Sequence, residues 1–180
     1  NAPINVSDRQ FRFDYLDERI RKLNGLSAFA YQAGNVPASM TRLQSVVDSA
    51  REINTPLVVM DTAPAAVLGA TLDRRVAKME RVIIANVGNF HTLAFRLGPH
   101  GIEGLFEHHT GLVDLAKLDH LLRALADGTL QREDVFNDQG HGALLYVRTP
   151  LLLGEGDFDV VITGPRRSIF NPQKRIDGKQ

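Results

Sequence analysis

The feature that most constrains this sequence is the stretch 81–111, RVIIANVGNFHTLAFRLGPHGIEGLFEHHTG. It contains three largely apolar segments, at residues 82–85, 91–97 and 102–108, and the connections between them are too short to hold a helix. Successive strands joined by such turns pair as an antiparallel meander. The stretch therefore predicts the centre of a β-sheet.

The segments on either side predict buried strands and helices. Residues 57–60 (LVVM) are a continuous apolar run of the kind that a sheet buries on both faces, and residues 159–163 (DVVIT) predict a last buried strand. Thr62-Ala63-Pro64 can start a helix, and residues 114–126 carry five leucines at helical spacing. We therefore predict an α/β fold, a ribonuclease H-like mixed sheet with the three-strand meander and helices on both faces.

The first third of the chain predicts a helical lead-in, residues 1–55, that packs on the core of an α/β domain, residues 56–180, in one compact unit. The spacing predicts a helix over 14–23 and a second one capped by Ser39. Residues 26–33 suit either a short strand or the turn of a helix. The apolar stripe of the second helix is expected to face the core, as are the aromatic rings that precede the first; these residues are Phe11, Phe13, Met40, Leu43, Val46, Val47, Ala50 and Ile53.

Composition excludes several classes of protein. Lys plus Arg and Asp plus Glu number 21 each, so no net charge attracts nucleic acid or an anionic membrane. No apolar run approaches the ~20 residues of a membrane span. The chain has no Cys, which excludes disulfides and an iron–sulfur cluster held by this chain, and a cytoplasmic setting is expected. The opening Asn1-Ala2 resembles an expression scar, which suggests a piece of a longer protein. The oligomeric state stays open.

The turn after the first meander strand is a candidate anion site. Gly88 permits a positive φ, and the amides of residues 88–90 can converge on one oxygen atom. The alternative is an ordinary hairpin turn. We expect a small phosphorylated ligand or a nucleotide between this turn and the one that follows the last strand, with these candidate binding residues: Asn86, Gly88, Asn89, His91, Thr92, Gly164 and Arg166.

Glu107, His109 and His141 are candidate catalytic residues and candidate metal ligands. On a strand, Glu107 and His109 share one face, and His108 points to the other. With His141 or Asp138 from the glycine-rich loop they would form a divalent-metal site or a metal-free acid/base site. The alternative is structural hydrogen bonding. Asp61, at the end of a buried strand, is either a fourth catalytic candidate or the cap of the following helix.

Three segments resemble the second half of the actin-like ATPases, the superfamily of actin, heat-shock chaperone ATPases and sugar kinases. LVVMDTAPAAVLGATLD resembles the strand and helix that connect the two halves, IIANVGNFHTLAF resembles the second phosphate loop (D-x-G-G-G-T), and DVVITGPRRSI resembles the adenosine turn. The resemblance implies binding of ATP with Mg²⁺. It also implies phosphoryl transfer or hydrolysis that requires a further N-terminal half.

The sequence departs from that pattern at its polar positions. Asn86 stands where the superfamily has an Asp that holds a hydrated metal ion, and Pro165 replaces a glycine of the adenosine turn. A carboxamide still bonds phosphate or water but supplies no negative charge for Mg²⁺. A non-catalytic interaction module is therefore an alternative to nucleotide binding, beside a metal-dependent enzyme built on the Glu/His cluster.

A closer resemblance covers nearly the whole chain. MDTAPAAVLGA, NVGNFHTLAF, GLFEHHTG and NDQGHGA resemble the signatures of an uncharacterised prokaryotic family labelled as pyruvate formate-lyase activating enzymes. That label implies a radical enzyme whose three cysteines hold a cluster. This chain contains no Cys, so its residues do not support that activity.

Overall fold

The computed structural model of the chain describes residues 2, 4–155 and 160–170. Its helices are α1 (Asp8–Lys22), α2 (Thr41–Ser49), α3 (Thr62–Ala70), α4 (Leu115–Asp127) and α5 (Arg132–Phe136). Its strands are β1 (Ala30–Gln32), β2 (Val58–Met60), β3 (Val82–Val87), β4 (His91–Gly98), β5 (Gly101–His109), β6 (Gly142–Leu145) and β7 (Val160–Thr163). None of the helices in the described ranges has an apolar stretch that would span a bilayer.

The predicted meander is the centre of a five-stranded mixed sheet with the order β6-β5-β4-β3-β7. β3, β4, β5 and β6 pair antiparallel in turn, whereas β7 lies parallel to β3 at the other edge. The predicted mixed α/β fold is confirmed. The assignment to the ribonuclease H-like class stays a prediction.

Helices cover both faces of this sheet because its strands alternate between two apolar cores. On one face, Ile83, Ala85 and Phe106 pack with the leucines of α4. On the other face, Ile84 and Phe95 pack with residues of α1 and α3. Below, these are called the α4 face and the α1 face.

The N-terminal third differs from the prediction in the position of its elements. α1 begins at Asp8 rather than at residue 14, because Phe13, Leu16 and Ile20 are buried together at helical spacing. The segment left open at 26–33 forms a short 3-10 helix followed by β1. β1 lies before the predicted boundary at residue 55 and β2 lies after it. Because these two strands pair, the lead-in forms a small sheet with the part of the chain that follows. The division into two units at residue 55 stays a prediction.

The apolar stripe of the second helix is not core, contrary to the prediction. α2 begins at Thr41 with Met40 rather than Ser39 at the N-cap, and none of its residues is buried. It contacts β2, which pairs with β1 in a two-stranded sheet separate from the main sheet. For the same reason β2 is not buried on both faces, and Val58 is exposed.

The other predicted helices and strands are present, but some begin or end at different residues. α3 starts with Asp61 as its cap, and α4 lies one residue later than the predicted 114–126, with Asp114 as its N-cap. Gln131 caps α5, where its side chain and that of Asp134 form a capping box. Residue 159 of the last predicted strand lies outside the described residues.

A buried arginine joins the two central strands to α4. The Arg96 side chain is fully buried, and its Nε donates to Glu103 Oε2 at 2.9 Å. Its Nη1 donates to the carbonyl oxygens of Leu125 (3.2 Å) and Ala126 (2.8 Å) at the end of α4, and its Nη2 donates to the carbonyl oxygen of Thr149. A buried charge of this kind is tolerated because each of the three guanidinium nitrogens has at least one acceptor.

Replacing Arg96 with Met should destabilise the fold strongly, because it leaves buried Glu103 with one cationic partner, Arg81. We expect the free energy of unfolding to fall by about 3–5 kcal/mol, measured by urea unfolding at pH 7. Arg123→Ala, which removes an exposed arginine from α4, is the matched control and should leave the midpoint unchanged. Equal midpoints for the two variants would contradict the structural role of Arg96.

Candidate functional site

The turns after β3 and β7 lie side by side at one edge of the sheet. Parallel pairing sets Asn86 beside Thr163, so both strands end at the same level. The amide of Arg166 donates to the Val87 carbonyl oxygen at 3.0 Å. A Cβ on Gly164, whose φ is +98°, would lie 2.4 Å from that oxygen and 2.8 Å from Asn86 Oδ1. The contact is therefore close enough to require a glycine.

A cavity of about 450 Å³ opens at this edge, below called the strand-end cavity. The two turns, the first turn of α3, and charged side chains from α1, α2 and β5 form its walls. Its lining residues include Arg12, Arg42, Asp61, Thr62, Asn86, Gly88, Asn89, His91, Glu107 and Gly164. Most of the residues proposed from the sequence therefore face one space.

The acidic side chains of the cavity are already engaged. Arg12 Nε donates to Glu107 Oε2 at 2.7 Å, and Arg12 Nη2 lies 3.7 Å from Asp61 Oδ2. Asp61 also caps α3, accepting from the Thr62 amide at 2.7 Å. Among the described residues Arg42 forms no ion pair, and its side chain is exposed. Arg42 is the cation that this cavity leaves available.

The turn after β3 is only partly arranged as an anion site. The Gly88 amide donates to the His91 carbonyl oxygen at 3.0 Å, so it closes the turn and does not converge on a ligand with its neighbours. The Asn86 side chain is buried beside the Gly164 turn. Two residues proposed from the sequence lie elsewhere: Thr92 is buried on the α4 face and bonds Thr110, and Arg166 lines a separate shallow pocket.

Three imidazole rings meet beside the strand-end cavity; we call His91, His109 and His141 the three-histidine cluster. The register of β4 and β5 sets His91 directly opposite His109. His141 enters from the loop before β6, held by its amide donating to the Glu107 carbonyl oxygen at 2.9 Å. The ring centroids lie 4.9–5.0 Å apart, and one ligand nitrogen from each ring lies within 4.8 Å of the others.

The rings of this cluster have no polar partners among the described residues. His141 is buried, and neither of its ring nitrogens makes a hydrogen bond. Leaving a buried polar atom unpaired costs roughly 1–3 kcal/mol. Burial, together with the nearby His91, Arg12 and His109, lowers the pKa of His141 to about 3. Burial also lowers the pKa of His91. The His91 and His141 rings are therefore neutral near pH 7 and keep a lone pair for a ligand.

The structure brings together His109 and His141, as the sequence predicted, but with His91 as the third member. Glu107 is bonded to Arg12 and is not in the cluster. The sequence-based prediction did not set His91 against His109. The sequence feature that could have revealed this contact is the β4–β5 hairpin, because strands that pair outward from its turn bring His91 close to residue 109.

A fourth histidine shows what structural use of a histidine looks like in this fold. His108 points to the α4 face, fully buried, with Nε2 3.0 Å from Asp138 Oδ2. Hydrogen bonds from Lys117 and His108 hold the pKa of Asp138 below its usual value. Asp138, an alternative ligand in the sequence-based hypothesis, therefore belongs to this second group.

Fold and site together define an α/β protein with a polar strand-end cavity and an adjoining histidine cluster. A family model described as "Putative pyruvate format-lyase activating enzyme (DUF1786)" matches residues 2–169, and the chain belongs to that family. The family resemblance drawn from the sequence is thereby confirmed. No curated protein and no solved structure matches the chain. The relation to actin-like ATPases stays a prediction.

The lowered pKa of His141 predicts acid sensitivity. Because the folded-state pKa lies below the ordinary value of 6.5, the unfolded chain binds the extra proton, and stability is lost as pH falls from 6.5 toward 3. In His141→Leu the free energy of unfolding should fall less steeply as the pH is lowered, because about one proton fewer is taken up on unfolding. Urea unfolding between pH 7 and pH 5, with EDTA present, measures both slopes. Parallel slopes for the variant and the unmodified chain would contradict the prediction.

Proposed function

We propose that this chain binds a small phosphorylated ligand, a nucleotide such as ATP with Mg²⁺, in the strand-end cavity. The observation that supports this most is that the turns after β3 and β7 line one space with Arg42, a cation without an ion pair among the described residues. Phosphate oxygens are bound by such cations and by backbone amides. At about 450 Å³ the cavity has the volume of small-molecule sites.

The start of α3 adds to the attraction for an anion. Thr62 and Ala63 line the cavity at the positive end of this nine-residue helix. Asp61 and Glu107 supply the carboxylate oxygens that Mg²⁺ prefers, with Asp61 the more exposed. Arg12 holds both carboxylates, so the metal of a bound nucleotide competes with Arg12 for them.

Removing Arg42 should weaken binding of ATP with Mg²⁺ by about tenfold, equivalent to about 1.4 kcal/mol. Arg42→Ala leaves no internal carboxylate unpaired, so the fold should be unaffected. Isothermal titration with ATP plus Mg²⁺, with inorganic phosphate, and with adenosine separates recognition of phosphate from recognition of the base. Protein stripped of transition metals is used throughout.

Arg51→Ala is the matched control, because Arg51 follows the same helix, carries the same charge and is exposed outside the cavity lining. It should bind ATP as the unmodified chain does. Equal weakening by both variants would mean a non-specific charge effect. Absence of heat with both ATP and phosphate would overturn the proposal and favour the non-catalytic interaction module.

A further inference from the structure

The three-histidine cluster has the composition of a transition-metal site. We propose that His91, His109 and His141 bind one divalent ion of the zinc class, with a fourth coordination position open toward the strand-end cavity. Imidazole nitrogens suit Zn²⁺, Co²⁺, Ni²⁺ and Cu²⁺, whereas Mg²⁺ and Ca²⁺ take oxygen ligands. This centre does not depend on the anion binding proposed above.

The geometry of the cluster needs only small adjustments to accept the ion. The three ligand nitrogens lie within 4.8 Å of one another. Tetrahedral Zn²⁺ with bonds of about 2.0–2.1 Å brings its nitrogen ligands to about 3.4 Å. His91 and His109 are only half-buried, and side-chain rotations that draw them inward meet no hydrogen bond that would have to break among the described residues.

The orphaned ring of His141 is the independent observation that points to a ligand. Both of its nitrogens are buried without a partner, while the buried ring of His108, on the other face of the same sheet, is bonded to Asp138. His108, which has a structural role, is therefore hydrogen-bonded, whereas His141 is not. A metal ion would satisfy one nitrogen of each ring in the cluster.

The surroundings favour a catalytic rather than a structural centre. Structural zinc sites are closed by four protein ligands, whereas catalytic sites have three and a water molecule. Here the described residues supply three. His91 lines the strand-end cavity, and His141 lines a neighbouring cavity of about 320 Å³. Water and substrate therefore have access to the fourth position, where a bound water would be activated toward hydroxide.

The test is a titration of metal-stripped protein with Co²⁺, followed by visible absorption, and then competition with Zn²⁺. We expect one ion per chain, bound with submicromolar affinity. The visible spectrum should be that of a four- or five-coordinate ion with nitrogen ligands. Changing a residue that only hydrogen-bonds a metal ligand lowers metal affinity by about 10–100-fold, and losing a ligand itself should cost more. We therefore expect Zn²⁺ binding to weaken by about 100-fold or more in each of the variants His91→Ala, His109→Ala and His141→Ala.

His100→Ala and His120→Ala are matched controls, because both side chains are exposed and lie outside the cluster. They should keep the affinity of the unmodified chain. If His141→Ala fails to fold, by far-UV circular dichroism, the half-buried His91 and His109 decide the question. Binding weaker than about 10 µM in the unmodified chain, unchanged affinity in either of those variants, or equal loss in the controls would overturn the proposal.

The result is separable from the anion proposal. The titration contains neither ATP nor phosphate, and the ATP titration uses protein stripped of transition metals. Failure of the metal titration therefore leaves the role of Arg42 intact, and failure of the ATP titration leaves the cluster intact.

Discussion

The arrangement of the site depends on the buried ion pair between Arg96 and Glu103. It lies where the register of β4 and β5 shifts by one residue, with Glu103 as the extra residue of a bulge. Ile102 and Leu105 consequently belong to the same core although they are three positions apart, which strict alternation forbids. Beyond the bulge, Glu107 and His109 are thereby set on the α1 face, opposite Leu93 and His91.

Elements distant in sequence complete the site on that face. Arg12 of α1 reaches across to Glu107 and Asp61, which joins the first helix, the central sheet and the start of α3 by charge. The backbone of Glu107 in turn anchors His141. A pair that is partly buried, as here, is costly to break, because Glu107 would be left as a buried unpaired carboxylate. The same contacts of Arg12 and Glu107 therefore hold both the histidine cluster and the strand-end cavity in place.

The sequence predicted what local rules determine. Period-two alternation and short turns define the meander, and Asp61 caps α3 because its carboxylate can reach the first amides of the helix. It could not predict the bulge, because that depends on Arg96 finding acceptors in α4 and at Thr149, 29–53 residues away. The sequence predicts Glu107 as a ligand because its ion-pair partner, Arg12, lies 95 residues away in the chain and no local pattern connects the two. The apolar stripe of α2 was misjudged because periodicity identifies a face without saying what covers it.

The register of β4 and β5 sets His91 beside His109, the loop before β6 adds His141, and we propose that these three imidazoles bind one metal ion. Anomalous X-ray diffraction from crystals soaked in Zn²⁺ tests it most directly. We expect one strong anomalous peak within bonding distance of a ring nitrogen from each of His91, His109 and His141, with a further ligand on the side of the strand-end cavity. A peak elsewhere on the chain, or none between these rings, would contradict it.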